Sequence, residues 1–117
     1  MKIILASKSG VRKQILDKFN INNDVVESNV DEDEIKTSLL AEGADPLSIS
    51  KNLAEIKSIK VSKKFPNFLV LGADSVISLN NKLINKPKSR EEALDILKKL
   101  NNSKHYLISS VCISKNG

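Results

Sequence analysis

Two rhythms of apolar and polar positions run along this chain, and together they predict most of its elements. Lys2 to Ala6 is a short apolar run with two isoleucines and polar boundaries, the pattern of a buried strand. Ser7-Lys8-Ser9-Gly10 follows as a loop. Val11, Ile15, Leu16 and Phe19 then recur at helical spacing, so a helix is expected from about Gly10 to Phe19 with Ser9 as its N-cap. Asn20 to Asn23 ends it, and Asp24 to Glu27 reads as a second strand. Asp31-Glu32-Asp33-Glu34 reads as a solvated acidic loop. Asp45-Pro46 is an N-cap followed by proline at the first helical position, opening a helix from Pro46 to about Lys63.

Phe65-Pro66-Asn67 breaks that helix. Phe68 to Leu71 is continuously apolar, as in a strand covered on both faces, and Leu71-Gly72-Ala73-Asp74-Ser75 reads as the turn at its end. Val76 to Leu79 and Lys82 to Ile84 flank Asn80-Asn81, a two-residue hairpin signal. Ser89 and Glu92 have the spacing of a capping box, and Ala93, Ile96, Leu97 and Leu100 give the helix behind them an apolar stripe. Tyr106 to Ser114 alternates as a last strand. The order strand, helix, strand, helix, strand, hairpin, helix, strand argues for one α/β domain over residues 1–117. The sequence reaches Lys115-Asn116-Gly117 with its last strand still needing a neighbour, so the sheet is expected to be incomplete at its C-terminal side.

Composition narrows the class. With 117 residues there is room for one modest core, and an ordinary apolar share of 40% argues against disorder. No stretch approaches the length of a membrane span, and the N-terminal apolar run is too short for a signal peptide. One cysteine, Cys112, excludes an internal disulfide and fits a reducing compartment, so a cytoplasmic protein is expected. The net charge of +5 is carried almost wholly by lysine, since the arginines are Arg12 and Arg90. Basic patches that read nucleic acid usually alternate with stacking aromatics. Phe19, Phe65, Phe68 and Tyr106 do not form such a pattern, so small anionic substrates are favoured over polynucleotide. No partner in a membrane is indicated.

Several residues can carry chemistry. The loop Ser7 to Gly10, between a strand and a helix, combines hydroxyls, amide N–H groups and a helix dipole, with Arg12 on the first turn to fork a phosphate. The bland alternative is a capped helix with a solvated arginine. Asp74 follows a buried strand with little bulk around it, where α/β proteins place ligands, though an aspartate capping a turn gives the same pattern. Lys86 is held extended by Pro87, and Lys57 borders the apolar stripe of its helix, where it either enters a cleft or snorkels. The acidic run can furnish a magnesium ligand. His105 has no partner at zinc-ligand spacing and is taken as structural or surface, and Cys112 as a small core residue. No P-loop, dinucleotide-binding or nucleophile-elbow motif occurs.

The order and spacing of these pieces say more than any one of them. Ile4-Leu5-Ala6-Ser7-Lys8-Ser9 with Arg12 and Ile15-Leu16 resembles the opening motif of the Maf family of nucleoside triphosphate pyrophosphatases. Val30-Asp31-Glu32, Leu53-Ala54-x-x-Lys57, Leu71-Gly72-Ala73-Asp74-Ser75-Val76, Lys86-Pro87 with Glu92-Ala93, and Leu97-Lys98-Lys99-Leu100 continue it, with His105 also at a familiar place. The resemblance covers essentially the whole chain. It implies a Maf-like mixed sheet, of the kind shared with inosine triphosphatases, flanked by helices. It further implies a cytosolic enzyme that hydrolyses nucleoside triphosphates, non-standard ones among them, to monophosphate and pyrophosphate. By that likeness Asp74 would be the proton acceptor that activates water. Glu32 and Asp74 would hold a divalent cation, Mg²⁺ or Mn²⁺, and Ser7, Arg12, Lys57, Ser75 and Lys86 would meet the substrate. A homodimer stays open as an alternative to a monomer.

Two departures from the family pattern bear on this. The family loop commonly carries two adjacent arginines, where this chain has Gly10-Val11 before Arg12. Aligning Arg12 with the second leaves Val11 at a position associated with base selectivity, with Ser75 as the other. Family members also continue past this point into a segment that completes the sheet and closes the cleft. The chain is therefore expected to be the larger, N-terminal part of such an enzyme, with a non-catalytic nucleotide-binding or division-regulating module as the alternative.

Overall fold

Residues Leu69–Leu79 form one unbroken strand of 11 residues, and the other strands are placed by it. The computed structural model describes residues 2–8, 10–84, 87–101 and 103–117. Its elements run β1 (Ile3–Ala6), α1 (Gly10–Lys18), β2 (Asn23–Val25), α2 (Glu32–Ala41), α3 (Pro46–Ser62), β3 (Leu69–Leu79), β4 (Lys82–Ile84), α4 (Arg90–Leu100) and β5 (His105–Ser114). β1 lies parallel between β2 and the start of β3, with Ala6 opposite Gly72. β4 pairs antiparallel with the end of β3, from Ile77 opposite Ile84 to Leu79 opposite Lys82. β5 runs antiparallel along residues 70–79 of β3. A strand has two edges and β5 occupies one. β1 and β4 therefore share the other, and along that edge residues 73–76 of β3 lie between them with no strand alongside among the described residues. That gap positions the site.

The turn expected at Gly72 to Ser75 is thus not a turn. Small and short side chains there look like punctuation, yet every one of those residues has a partner on β5, Asp74 facing Ser110 and Ser75 facing Ser109. The β5 ladder pairs the edge that faces it, and side chains of Arg12, Lys57 and Ser50 take up the Ala73 and Asp74 carbonyls, so the strand continues. The acidic run is likewise not a loop. Asp31 caps α2 by accepting from the Glu34 amide at 3.1 Å, and Glu32, Asp33 and Glu34 fill its first turn, where the helix dipole favours negative charge.

Other expectations hold. Asp45 caps α3 by accepting from the Ser48 amide at 2.8 Å. Asn80 and Asn81 have φ of 52° and 62°, both positive as a type I′ hairpin requires. Asn20, at φ 57°, ends α1 with the paired bonds of a Schellman turn, Ile21 N–H to Leu16 O and Asn20 N–H to Asp17 O.

α3 covers one face of the sheet. Its Val61 packs with Ile4, Ala6 and Val70, and Val26 and Phe65 border that cluster. The opposite face is thinner. Leu5 is fully buried there, but Leu69 and Leu71 are only half-buried, Phe68 is exposed, and Leu107, Val111 and Ile113 of β5 are exposed, so the Phe68 to Leu71 run is not evenly covered on both faces as expected. α4 forms with Ser89 accepting from the Glu92 amide, but the Glu92 carboxylate accepts from Lys88 N–H rather than closing the box on Ser89. Its apolar stripe is not buried, and Leu97 is 63% exposed. Cys112 is half-buried rather than a core residue. The outer edge of β5 meets no strand among the described residues.

Candidate active site

Alternation along β3 sends Asp74 toward α3 and its neighbours Ala73 and Ser75 toward α1. The Asp74 side chain is 4% exposed and its Oδ1 accepts from Lys57 Nζ at 3.2 Å. Lys57, 9% exposed, arrives from α3, and the same ammonium meets Glu32 Oε1 at 2.5 Å from the first turn of α2. One ammonium thus holds two carboxylates together. Asp74 Oδ2 has no hydrogen-bond partner among the described residues. A buried carboxylate oxygen left so is costly unless something else takes it up.

On the other side of the gap Arg12 makes a fork. Its Nη1 donates to Ser7 Oγ at 3.1 Å and to Ala73 O at 3.4 Å, and its Nη2 donates to Ser75 Oγ at 3.2 Å. Lys57 Nζ also reaches Ala73 O, at 3.5 Å. The Ala73 carbonyl is therefore approached by two cationic side chains from opposite faces of the sheet, at the stretch of β3 that β1 and β4 leave uncovered. Ser75 Oγ lies 2.8 Å from Ser109 Oγ, its partner on β5.

A cavity of about 590 Å³ opens beside this cluster, lined by Ser7, Lys8, Arg12, the loop Ser28 to Asp31, and by Glu32, Asp33 and Lys57. That volume suits a nucleotide-sized ligand. A second cavity of about 460 Å³ adjoins it through Glu32 and Asp33 and extends to Lys36, Pro87 and Lys88. A smaller one of about 170 Å³ shares Arg12 and is lined by Asp74 and Ser75 with Leu5, Ile15, Leu16 and Val111. Asp74 itself lines the smaller cavity, and it borders the larger one only through its partner Lys57.

The fold brings Ser7, Arg12, Glu32, Lys57, Asp74 and Ser75 together from five elements and loops. Lys57 enters the cleft and does not snorkel. Val11 is exposed on α1 and lines none of these cavities, so nothing in the geometry ties it to a base. Lys86 lies outside the described residues. His105 is exposed, its Nδ1 3.2 Å from Ser103 O, as a surface role predicts. Sequence reasoning missed the Ala73 carbonyl, Ser109 and the Ser28-Asn29 wall. Ser109 was knowable from strand register alone, and the carbonyl from no residue type at all.

The donor set can be tested for a divalent cation. Two carboxylates on one ammonium, one with an unpartnered buried oxygen, are hard oxygen donors of the kind Mg²⁺ takes. No group of three or more His, Cys, Asp and Glu poised to hold a metal occurs among the described residues. Glu32 and Asp74 would then offer two carboxylates to such an ion, fewer than a cage built wholly from protein would need.

Comparison with known proteins places the chain in a family. The family model described as Maf-like protein matches residues 2–117. A nucleoside triphosphate pyrophosphatase of Pelagibacter ubique is 62% identical over 116 residues, covering 99% of this chain and 60% of the relative. A dTTP/UTP pyrophosphatase of Pyrococcus furiosus is 38% identical over 96% of the chain and 55% of its own length. A 7-methyl-GTP pyrophosphatase of Brucella abortus is 34% identical over 100% of the chain and 59% of its own length. The chain thus spans somewhat more than half the length of these relatives.

Proposed function

The chain belongs to the Maf-like protein family, and from that premise we propose that its cleft hydrolyses nucleoside triphosphates to monophosphate and pyrophosphate. The observation that carries the reading is the buried pair Lys57–Asp74, set behind a cavity rimmed by Arg12, Ser7 and Lys8. Triphosphate binds in the larger cavity, where Lys57, Arg12 and Lys8 offset its charge and the Ser7 hydroxyl joins the Arg12 fork. Lys57 is already paired, so substrate phosphate competes with Asp74 and Glu32 for its ammonium. That exchange frees carboxylate oxygen as substrate arrives. Asp74, fixed on a strand and shielded from bulk water, orients a water and accepts its proton. Glu32 and Asp74 would hold a Mg²⁺ or Mn²⁺ ion, which when bound neutralises charge on the phosphates and polarises the scissile bond.

The printed names of the relatives include a dTTP/UTP and a 7-methyl-GTP pyrophosphatase, so base preference differs among proteins similar to this one. Ser75, tied to Arg12 and Ser109, is our candidate for biasing it, and a cytoplasmic nucleotide pool is the expected source of substrate. Pyrophosphate release from a panel of standard and methylated nucleoside triphosphates, with Mg²⁺ and then with chelator, tests the reading. Release that depends on the cation and falls about 100-fold or more in Asp74→Asn is expected. Saturable nucleotide binding without turnover would overturn the catalytic assignment.

A further inference from the structure

Ser50, Ala54, Ser58 and Ser62 recur every fourth position of α3 and are all fully buried or nearly so. A helix advances about 6 Å in four residues and a strand about 6.6 Å in two. Such a row therefore stays in step with alternate residues of a strand crossing beneath it. The contacts obey that match. Ser50 Oγ donates to Asp74 O at 3.1 Å, and Ser58 Oγ donates to Val70 O at 3.0 Å. Between them Gly72 lies so close to the helix that an added Cβ would stand 2.7 Å from Ser58 N and Cβ. The two elements are locked in register by hydroxyls at either end and by the absence of a side chain in the middle.

Lys57 rides on the same helix, so this register also sets the distance from its ammonium to Asp74. The side-chain bond between the two is vulnerable, because Lys57 also holds Glu32 and faces the cavity that takes phosphate. The bond from Ser50 to the Asp74 carbonyl is neutral, wholly buried and outside that competition.

We propose that Ser50 is a positioning residue for catalysis: its hydroxyl ties the main chain of Asp74 to the helix bearing Lys57, so the carboxylate keeps its place when substrate draws the ammonium away. The inference rests on the reading of Asp74 as the base. Ser58 supplies a comparison: its hydroxyl bonds Val70 O of the same strand four residues from Asp74 and also Ser114 Oγ of β5, so its loss loosens the register without freeing the main chain of Asp74 itself.

The test compares Ser50→Ala, Ser58→Ala and Ser50→Cys in steady-state hydrolysis. The ¹³C resonance of the Asp74 carboxyl is recorded in each at one pH. Ser50→Ala is expected to lower kcat about tenfold while KM changes less than about twofold, as displacement of a reacting group does. Ser58→Ala is expected to keep kcat within about twofold of the parent, and Ser50→Cys, a weak donor, to recover part of the loss. The Asp74 resonance should move in Ser50→Ala and stay in Ser58→Ala. Parental kcat and resonance in Ser50→Ala, or equal changes in Ser58→Ala, would overturn the inference. If the parent itself releases no pyrophosphate, the proposed activity fails, and the Asp74 resonance alone decides the role of Ser50.

Discussion

At the scale of single residues the site depends on one ammonium. Lys57 holds two carboxylates, one 4% and the other 29% exposed, so its removal leaves charge facing charge with little water to screen it. Lys57→Met is expected to destabilise the fold by about 3 kcal/mol in urea denaturation without divalent cation. Millimolar Mg²⁺ should recover part of that loss by taking the place of the ammonium. A stability unchanged by the substitution would mean that the pair contributes nothing net. Ser7, Arg12, Lys57 and Asp74 were legible in the sequence through the order and spacing of the family motifs, since each taken alone had a bland reading. Ser109 and Ser50 were not. A serine in a strand or on a helix acquires its meaning only from what stands opposite, and that is decided by register.

At the scale of elements, the Asp45 cap and the Asn80-Asn81 hairpin turn were legible, whereas the expected turn at Gly72 to Ser75 and the acidic loop were not what forms. Asp45 shows why the readable cases are readable. Its carboxylate accepts from the Ser48 amide, and that bond, with the Ser48 hydroxyl second, holds its pKa below the ordinary carboxylate value of 3.8. A depressed native pKa stabilises the fold above the unfolded value and ceases to do so as pH falls through the native one. The stability gap between the parent and Asp45→Ala should therefore be full near neutrality and shrink only below the usual carboxylate range. Denaturant titrations at a series of pH values check this. A gap that is constant down to strong acid would contradict the cap. α2 escaped notice because its acidic first turn looked like a solvated run, and only Asp31 as N-cap reveals it as a helix start. β3 escaped as a single strand because Gly72-Ala73-Asp74-Ser75 is weakly strand-forming by itself. Its continuity comes from β5, more than thirty residues away in sequence.

At the scale of the whole molecule the arrangement makes a cleft from an interruption. β1 ends opposite Gly72 and β4 ends opposite Ile77, and the unpaired edge between them is where Arg12 and Lys57 converge on Ala73. No pattern of apolar residues encodes such a gap, since it arises from two short strands sharing one side of a long one. Ligand in that gap would add to the few side-chain bonds that now join α1, α2, α3 and β3 there. Mg²⁺ with a nucleoside triphosphate at about 100 times its Kd is expected to stabilise the fold by about 2.7 kcal/mol, seen as a raised Tm in a thermal scan. The same scan with Mg²⁺ alone separates cation from nucleotide.

Catalysis at Asp74 with release of pyrophosphate is the central claim, and the identity of the products tests it most directly. In ³¹P NMR of one nucleoside triphosphate incubated with Mg²⁺ and the protein, monophosphate and pyrophosphate should appear in equal amounts and be absent with Asp74→Asn. Nucleoside diphosphate with inorganic phosphate, or undiminished pyrophosphate from Asp74→Asn, would contradict it.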